Sequence, residues 1–460
     1  MNVSFRARIV ATAAGLSLAS APTGAQVSPE QAQLSPEKVD SLARRSTFDN
    51  GFRIALIPRT LFPDEAEARL LLRMGSPEAT AGRAWEARFA GRLIEAGSTT
   101  RSGAAMQAEL ARLGVRVQFT GRTDGVLVAF SGKGSGLLPA LRIVYDALRN
   151  PAYPDSALTA MRATELQRLA AGRTNTSMAA RIAFDRRLMP WPDEHPYATT
   201  TIAHDSAQIV AITRERLREY HARFFGATFG TLGAVGDFNG DSLQAWASGT
   251  FGTWASPTQF VRFARRNFEV QASREDLPLP APRNAVVIAG LQVPLRNLDR
   301  ELIALEIVNI VFGGDFRPNR LDSRLRLQAR VVVAQSTSLL SEARDAATVF
   351  EYAALVPRDS VVRAESMFLE ELRKLATEGL TAEELRAGRE EWLRVHRGYF
   401  RAYNQIAHYL AVEGREGRSM QEWAESFRAA ESLTREEVNA AAARYLVPQR
   451  LVAVRAGAPE

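Results

Sequence analysis

An internal repeat limits the folds open to this chain, because one pattern of a helix followed by a strand occurs twice. The helix follows Thr213 in the first copy and Thr434 in the second, 221 positions later. The strand after it ends at Gly236 and at Gly457, again 221 positions apart. Since the offset stays constant without a gap, we interpret the chain as two copies of one α+β unit, not as two helices that share a capping pattern.

The length of the chain agrees with two such units. Its 460 residues exceed the roughly 250–300 residues at which a single hydrophobic core stops growing. Residues 256–284 contain four prolines and charges of both signs, which is typical of a linker. We therefore predict a first half over residues 43–255 and a second half over residues 285–460.

The N-terminus has the pattern of an export signal over residues 1–25. Arg6 and Arg8 supply the positive charge, an apolar run follows, and Thr23-Gly24-Ala25 resembles a cleavage site. We expect an exported protein, with the periplasm as its compartment, and leave open whether the signal is removed or kept as an anchor. Residues 26–42 are predicted to be a flexible segment. No later run reaches roughly 18 apolar residues, so no stable membrane span is expected after signal removal.

Composition excludes several functions. The formal net charge is +7, but the basic residues are scattered among acidic ones and form no focused stripe, so we expect no binding to nucleic acid. The absence of cysteine removes thiolate zinc sites and cysteine nucleophiles. None of the five histidines lies three or four positions from another, so no helical metal-binding pair is formed.

Periodic patterns predict the elements of the first half. A helix between Gly82 and Gly97 has apolar residues at Trp85, Phe89 and Leu93, spaced to share one face. The other predicted elements are strands at 52–56, 70–74, 115–119 and 126–130, the last two joined as a hairpin, and helices around 137–148 and 155–171.

The helix between Gly82 and Gly97 carries the segment Arg88-Phe89-Ala90-Gly91-Arg92. Positions 88 and 92 lie one turn apart on the same face of a helix. Guanidinium groups stay protonated, have no lone pair to donate and repel a dication. This face is therefore predicted not to bind a metal ion.

The layout resembles the insulinase/pitrilysin family of inverted-zincin metallopeptidases, in particular two-half subunits like those of mitochondrial processing peptidase. The resemblance implies an α+β fold of two homologous α/β-sandwich halves, each a mostly antiparallel sheet packed with helices. It rests on the order and spacing of these marks: Asn50-Gly51, Gly75-Ser76, Leu93–Ser102, Leu113-Gly114, His195-Pro196-Tyr197, Gly236-Asp237-Phe238, Phe312–Phe316 and Asn319-Arg320-Leu321.

The resemblance also implies that the zinc site has degenerated. The two zinc-binding histidines of active relatives fall on Arg88 and Arg92, and the catalytic glutamate falls on Gly91. The third ligand of active relatives matches Glu165, which is either a remnant of that site or an ordinary residue on a helix surface. One carboxylate does not hold zinc alone.

A second part of the family's site lies in the second half, where active relatives use an arginine and a tyrosine seven residues apart. Arg326 matches the arginine, and the tyrosine falls on Val333. Arg326 is expected either to contact a peptide or a partner subunit, or to form a surface salt bridge. Gly313 and Gly314 match the family's glycine-rich loop and serve either loop mobility or the end of a helix.

These observations lead to one main hypothesis. The chain is expected to be an exported, non-catalytic subunit without a cofactor of its own, which forms a heterodimer with an active homologue that carries the zinc. The pair would enclose a peptide, which the resemblance implies is added as a strand to a sheet edge. The alternatives are a structural or assembly subunit of a larger complex, and a zinc metalloendopeptidase with a rearranged site.

Overall fold

The computed structural model describes residues 34–58, 62–279, 283–314, 318–341, 344–416 and 419–457. The predicted export signal lies outside these residues. Among the described residues, no helix has the length and apolarity needed to cross a membrane.

The first half contains a six-stranded sheet in the order β1-β2-β6-β3-β5-β4. All neighbours are antiparallel except β2 and β6. The elements are α1 (Pro36–Leu42), β1 (Arg44–Thr47), β2 (Arg53–Pro58), β3 (Glu65–Arg73), α2 (Ala84–Arg92), α3 (Gly103–Arg112), β4 (Val115–Arg122), β5 (Gly125–Lys133), α4 (Gly134–Arg149), α5 (Asp155–Gly172), α6 (Thr176–Leu188), α7 (Ile202–Val210), α8 (Arg214–Phe224), β6 (Gly230–Gly236) and α9 (Gly240–Thr250).

The second half contains a five-stranded sheet in the order β7-β11-β8-β10-β9, in which only β7 and β11 are parallel. Its elements are β7 (Ser273–Leu277), β8 (Asn284–Val293), α10 (Arg300–Phe312), a π-helical segment (Asp322–Gln328), β9 (Ala334–Leu340), β10 (Thr348–Pro357), α11 (Val361–Glu378), α12 (Ala382–Tyr399), α13 (Tyr403–Glu416), α14 (Met420–Ser432), α15 (Arg435–Tyr445) and β11 (Val452–Ala456).

Five strands of the first sheet, in the order β2-β6-β3-β5-β4, correspond to the five strands of the second sheet, in the order β7-β11-β8-β10-β9, which agrees with the repeat in the sequence; β1 is an additional strand of the first sheet. The parallel pair of β2 and β6 corresponds to the parallel pair of β7 and β11. Helix α8 begins at Arg214 and helix α15 at Arg435, which keeps the offset of 221 positions. Thr213 and Thr434 each accept a hydrogen bond from a backbone N–H in the first turn, as expected of capping residues.

Two predictions about the segments that flank the halves were wrong. Residues 273–277 were placed in the linker, but they form β7 and continue the second sheet. Residues 34–42 were predicted to be flexible, but Ser35 caps α1, and Leu34 and Val39 are buried against the core of the second half. Both segments are mostly polar, so the sequence pattern did not reveal their few packed positions. Residues 26–33 lie outside the described part of the chain.

One helix of each half packs against the sheet of the other half. Helix α6 of the first half packs Ala180, Phe184 and Leu188 against β8 and β11. Helix α13 of the second half packs on β2, β3 and β6. Glycines in the sheets allow this close approach, since a Cβ atom at Gly233 would lie 2.5 Å from a backbone oxygen of α13 and one at Gly290 would lie 2.8 Å from the ring of Phe184.

Candidate functional site

Helix α2 is held by its apolar face. Trp85, Phe89 and Leu93 are buried, as their spacing predicts. The Trp85 indole donates a hydrogen bond of 2.8 Å to Asp205, which fixes the start of the helix against α7. A 3₁₀ turn continues α2 to Ala96, and Gly97 then ends it with a φ of 103°, a value that favours glycine.

Helix α2 also approaches the backbone of β4 unusually closely. A Cβ atom placed on Gly121 would lie 1.9 Å from the carbonyl oxygen of Arg88, and one placed on Gly91 would lie 2.8 Å from the Cα of Gly121. Both distances are too short for real Cβ contacts. The position that corresponds to the catalytic glutamate is therefore pressed against β4, with no space for a side chain unless the helix moves.

The two arginines of α2 lie beside a cleft of about 380 Å³ that is bounded by α2, β4 and α5. The guanidinium carbon of Arg88 is 4.9 Å from the ring centroid of Trp85. Arg92 is 3.7 Å from a carboxylate oxygen of Glu165 and 3.8 Å from one of Glu95. The structure thus brings together the arginines and the remnant carboxylate that the resemblance singled out.

Glu165 belongs to this cleft and not to the outer surface of its helix. Its side chain is 15% exposed and accepts a hydrogen bond of 2.7 Å from Arg168. Of the two alternatives for Glu165, its position in the cleft favours the remnant over an ordinary residue on a helix surface. Its sequence neighbours give no sign of this burial, because the cleft forms only when α5 packs beside α2.

This set of groups does not fit a zinc ion. Tetrahedral zinc sites need several lone-pair donors from histidine, cysteine or carboxylate side chains. The cleft offers two guanidiniums and two carboxylates, and those carboxylates already lie near arginines. Among the described residues, no group of three or more histidine, aspartate or glutamate side chains is arranged to hold a metal ion.

The second-half residues singled out by the resemblance lie apart from this cleft. Arg326 donates two hydrogen bonds to Asp322 on its own π-helical segment, and this partner raises the pKa of Arg326. The geometry agrees with the salt-bridge alternative. Val333, at the position of the missing tyrosine, is 50% exposed.

Gly313 and Gly314 end helix α10. The backbone N–H groups of both donate to the carbonyl of Asn309, at 3.1 and 2.7 Å. Gly313 also accepts a hydrogen bond of 2.8 Å from the backbone of Thr337 on β9. The arrangement agrees with a role in ending the helix, and residues 315–317 lie outside the described part of the chain.

A larger cavity of about 710 Å³ lies between the halves and shares Arg88 and Gly121 with the first cleft. We call it the chamber. Its walls come from β4, α6, the residues before β7, α10, β9, β10 and α12–α14. A bidentate pair between Arg181 of α6 and Glu351 of β10 connects the two halves at its wall, and Asp185 lies 3.5 Å from the same arginine.

The chamber contains a buried carboxyl group that the sequence analysis missed, that of Glu306 on α10. It accepts a hydrogen bond of 2.7 Å from the indole of Trp392. Burial raises the pKa of Glu306 to about 7, against the opposing effect of this hydrogen bond. A signal was present, since Glu306 is a single acid within the apolar run Leu302–Phe312.

The histidines have packing roles where the structure defines them. The His195 ring stacks on Trp191 at 3.9 Å, and its Nδ1 accepts from the backbone N–H of Tyr197 at 3.1 Å. This agrees with the interpretation of His195 as a packing residue. Burial lowers the pKa of His396, in the chamber wall, to about 4, so its ring is neutral at neutral pH.

Comparison with known proteins supports the resemblance. Residues 211–391 match a family model described as the peptidase M16 inactive domain. A peptidase M16 inactive domain from Pseudomonas fluorescens is similar in structure, with a TM-score of 0.78 and 17% identity over 91% of this chain and 98% of that one. A protease from Helicobacter pylori has a TM-score of 0.79 and 14% identity, over 91% and 99% of the two chains.

A third similar structure is the periplasmic protease PqqL from Escherichia coli, with a TM-score of 0.74 and 16% identity. The similarity covers 96% of this chain but only 49% of PqqL, so this chain spans about half of that protein. No curated protein matched the sequence.

These findings define the class of the protein. It has the two-half fold of M16 peptidases, as the sequence predicted. Residues 211–391 match the model of the M16 inactive domain, and this match confirms the resemblance to the insulinase family. The match does not include residues 88–92, so the interpretation of helix α2 depends on its own residues and their contacts.

Proposed function

We propose that this chain is an exported, non-catalytic subunit of the M16 type, which pairs with a zinc-binding homologue and helps to hold a peptide. The observation that carries the proposal is the state of helix α2. Its metal-facing positions are arginines, and Gly91 is pressed against Gly121, so neither ligands nor base are present. The scaffold around the cleft is nevertheless intact.

Peptide binding is supported by the position of β4. It is the last strand of the first sheet and pairs only with β5 among the described strands. Residues 118–121 of this strand line the cleft. An edge strand presents unpaired backbone groups to which an extended peptide adds with little dependence on sequence.

Pairing and export are supported by comparison with PqqL. That protease is periplasmic, and this chain spans 49% of it, so two chains of this size would match one PqqL molecule. A partner with an intact zinc helix would then supply the chemistry that this chain lacks. The zinc is expected on the partner only.

Co-expression with a zinc-binding homologue from the same organism tests the proposal. We expect a stable complex on size-exclusion chromatography. When the catalytic glutamate of the homologue is replaced by glutamine, the complex should bind an extended peptide without cleaving it. Recovery of this chain only as a monomer would contradict the pairing. A stable complex that binds no peptide would indicate the structural or assembly role instead.

A further inference from the structure

The chamber is unusual in its distribution of charge. Its carboxylates at Asp124, Asp185 and Glu351 each lie within 3.5 Å of an arginine. Glu306 differs, because among the described residues no cationic side chain pairs with it and its hydrogen bond comes from the neutral indole of Trp392. A carboxylate that faces a cavity without a cation is costly, since burial disfavours its charged form.

A series of neighbouring aromatic rings starts at the Trp392 indole that donates to this carboxyl group, and four of these rings line the same chamber. The His396 ring stacks on Trp392 at 3.9 Å, and Tyr399 lies 5.4 Å from His396. Tyr409 lies 6.3 Å from Tyr399, with Trp423 4.9 Å from Tyr409. All distances are between ring centroids.

We call the part of the chamber lined by Glu306, His396, Tyr399, Tyr409 and Trp423 the Glu306 pocket. The charge of Glu306 acts on other groups in this pocket. The pKa of Tyr399 is raised mainly by burial and, to a smaller extent, by the charge of Glu306. His396 is neutral at neutral pH and does not repel a cation.

We propose that the Glu306 pocket binds an organic cation, either a primary alkylammonium or a guanidinium group. The carboxylate would supply the charge partner, and the ring faces would supply cation–π contacts, which act within about 6 Å of a ring centroid. Anions are excluded by the carboxylate, and a neutral alkyl chain gains only the contact with the rings. The occupant is either a free amine or a lysine or arginine side chain of a peptide in the chamber, and the second case rests on the proposed function.

The cation site is tested by titrating the full chain with n-butylammonium, which has the size and charge of a lysine side chain, and with n-butanol as its neutral counterpart. Isothermal calorimetry or ligand-observed NMR gives the two dissociation constants. We expect saturable binding of n-butylammonium, at least ~10-fold tighter than that of n-butanol. Glu306→Gln should abolish this preference, and Glu306→Asp should keep most of it.

The glutamine variant keeps an oxygen that accepts from Trp392, so its fold should persist, which circular dichroism verifies. Glu301→Gln is the matched control, since Glu301 lies on the same helix but already pairs with Arg444 at 3.1 Å. Trp423→Leu provides a second variant that leaves the carboxylate in place and should weaken n-butylammonium binding. Absence of saturable binding, or equal binding by the wild type and Glu306→Gln, overturns the proposal.

A second arm separates this inference from the proposed function. Two peptides that differ only in one lysine or norleucine are titrated into the complex with the inactivated homologue. A lysine preference that disappears in Glu306→Gln assigns the pocket to peptide side chains. Equal binding of both peptides contradicts a peptide occupant and leaves the free amine. Failure of both peptides to bind contradicts the proposed function, while the n-butylammonium result still decides the cation site.

Discussion

Helix α2 carries two arginines at the positions that the resemblance matches to the zinc-binding histidines of active relatives, and the cleft beside them contains the carboxylate of Glu165. Arg92 and Glu165 are 3.7 Å apart, so the carboxylate that the resemblance matches to a zinc ligand of active relatives lies beside a guanidinium here. The positive charge of Arg92 compensates the negative charge of Glu165, because a buried carboxylate without a nearby cation would destabilise the fold. The arrangement indicates which substitutions of the arginines should create a zinc site in this cleft.

The double variant Arg88→His and Arg92→His should gain zinc binding. Two imidazoles one helical turn apart, with Glu165 as third ligand, form the donor set of a three-ligand zinc site. Hydrolysis should remain absent, because Gly91 supplies no base. Elemental analysis after dialysis checks the metal content. The lysine double variant is the control and should bind none. Zinc binding that persists when Glu165→Gln is added would contradict the assignment of the third ligand.

Gly91→Ala should lower the free energy of unfolding. Overpacking against the Gly121 backbone costs ~1–3 kcal/mol, which exceeds the ~0.5–1 kcal/mol that alanine gains over glycine in a helix. Gly249→Ala on α9 is the matched control, since no atom lies within 4 Å of its Cβ position. It should stabilise the protein slightly. Denaturant titration measures both, and an unchanged midpoint for Gly91→Ala would argue against the close contact.

The sequence predicted part of this site. The placement of Arg88 and Arg92 on one helix, which lies beside the cleft, was predicted, because it depends on spacing within one helix, whereas their correspondence to zinc ligands is what the resemblance implies. The contact between Gly91 and Gly121 was not, because it joins residues on different elements and neither glycine has a local signature. Glu306 was overlooked, although a single acid in an apolar helix indicates a buried charge.

Helix α6 of the first half packs on the second sheet, and helix α13 of the second half packs on the first sheet. The two sheets are therefore expected to unfold together. A bidentate polar link between the halves is the pair of Arg181 and Glu351, whose side chains are 27% and 9% exposed. Its bidentate geometry and the nearby Asp185 hold the pKa of Arg181 above its ordinary value, although burial acts in the opposite direction. Loss of one partner would leave a buried charge alone.

Arg181→Met should therefore destabilise the protein by ~3 kcal/mol, because removing one partner of a buried pair leaves the other uncompensated. The double variant Arg181→Met and Glu351→Leu should recover much of this loss. Denaturant unfolding, followed by both circular dichroism and tryptophan fluorescence, measures the effect and whether the halves unfold in one transition. Additive effects of the two single substitutions would show that the pair does not couple the halves.

Strand and helix prediction succeeded where periodicity was strong. The hairpin of β4 and β5 and the helices α4 and α5 were predicted within a few residues. Strand β7 was missed because Ser273–Leu277 is rich in charge and lies at a sheet edge, where alternation of apolar residues is weak. The packing of α6 and α13 on the sheet of the other half has no local sequence pattern, since it depends on residues of that sheet.

At the scale of the whole molecule, Glu306 in the chamber should make a pH-dependent contribution to stability. The pKa of Glu306 rises from its ordinary 4.5 to about 7 on folding, so the folded state binds more protons than the unfolded state between these values. The contribution of Glu306 to the free energy of unfolding should therefore fall as pH rises from about 4.5 to about 7, while that of His396, whose pKa burial lowers from 6.5 to about 4, should rise over the lower part of this interval.

Glu306→Gln removes the contribution of Glu306, so the free energy of unfolding of the variant relative to the wild type should increase as pH rises through that interval. The two proteins should differ most above pH 7, where the variant is the more stable. Denaturant titrations at several pH values provide the comparison, with Glu301→Gln as control. A variant whose pH profile parallels that of the wild type would contradict the burial of the charge.

The central claim is that this chain has lost its own peptidase chemistry and depends on a partner for it. Its most direct test is to measure zinc content and cleavage of a fluorogenic peptide for the purified chain, alone and together with its homologue. We predict no bound zinc and no cleavage by the chain alone, even with zinc added, and chelator-sensitive cleavage by the pair. One tightly bound zinc per chain, with cleavage by this polypeptide alone, would contradict the account.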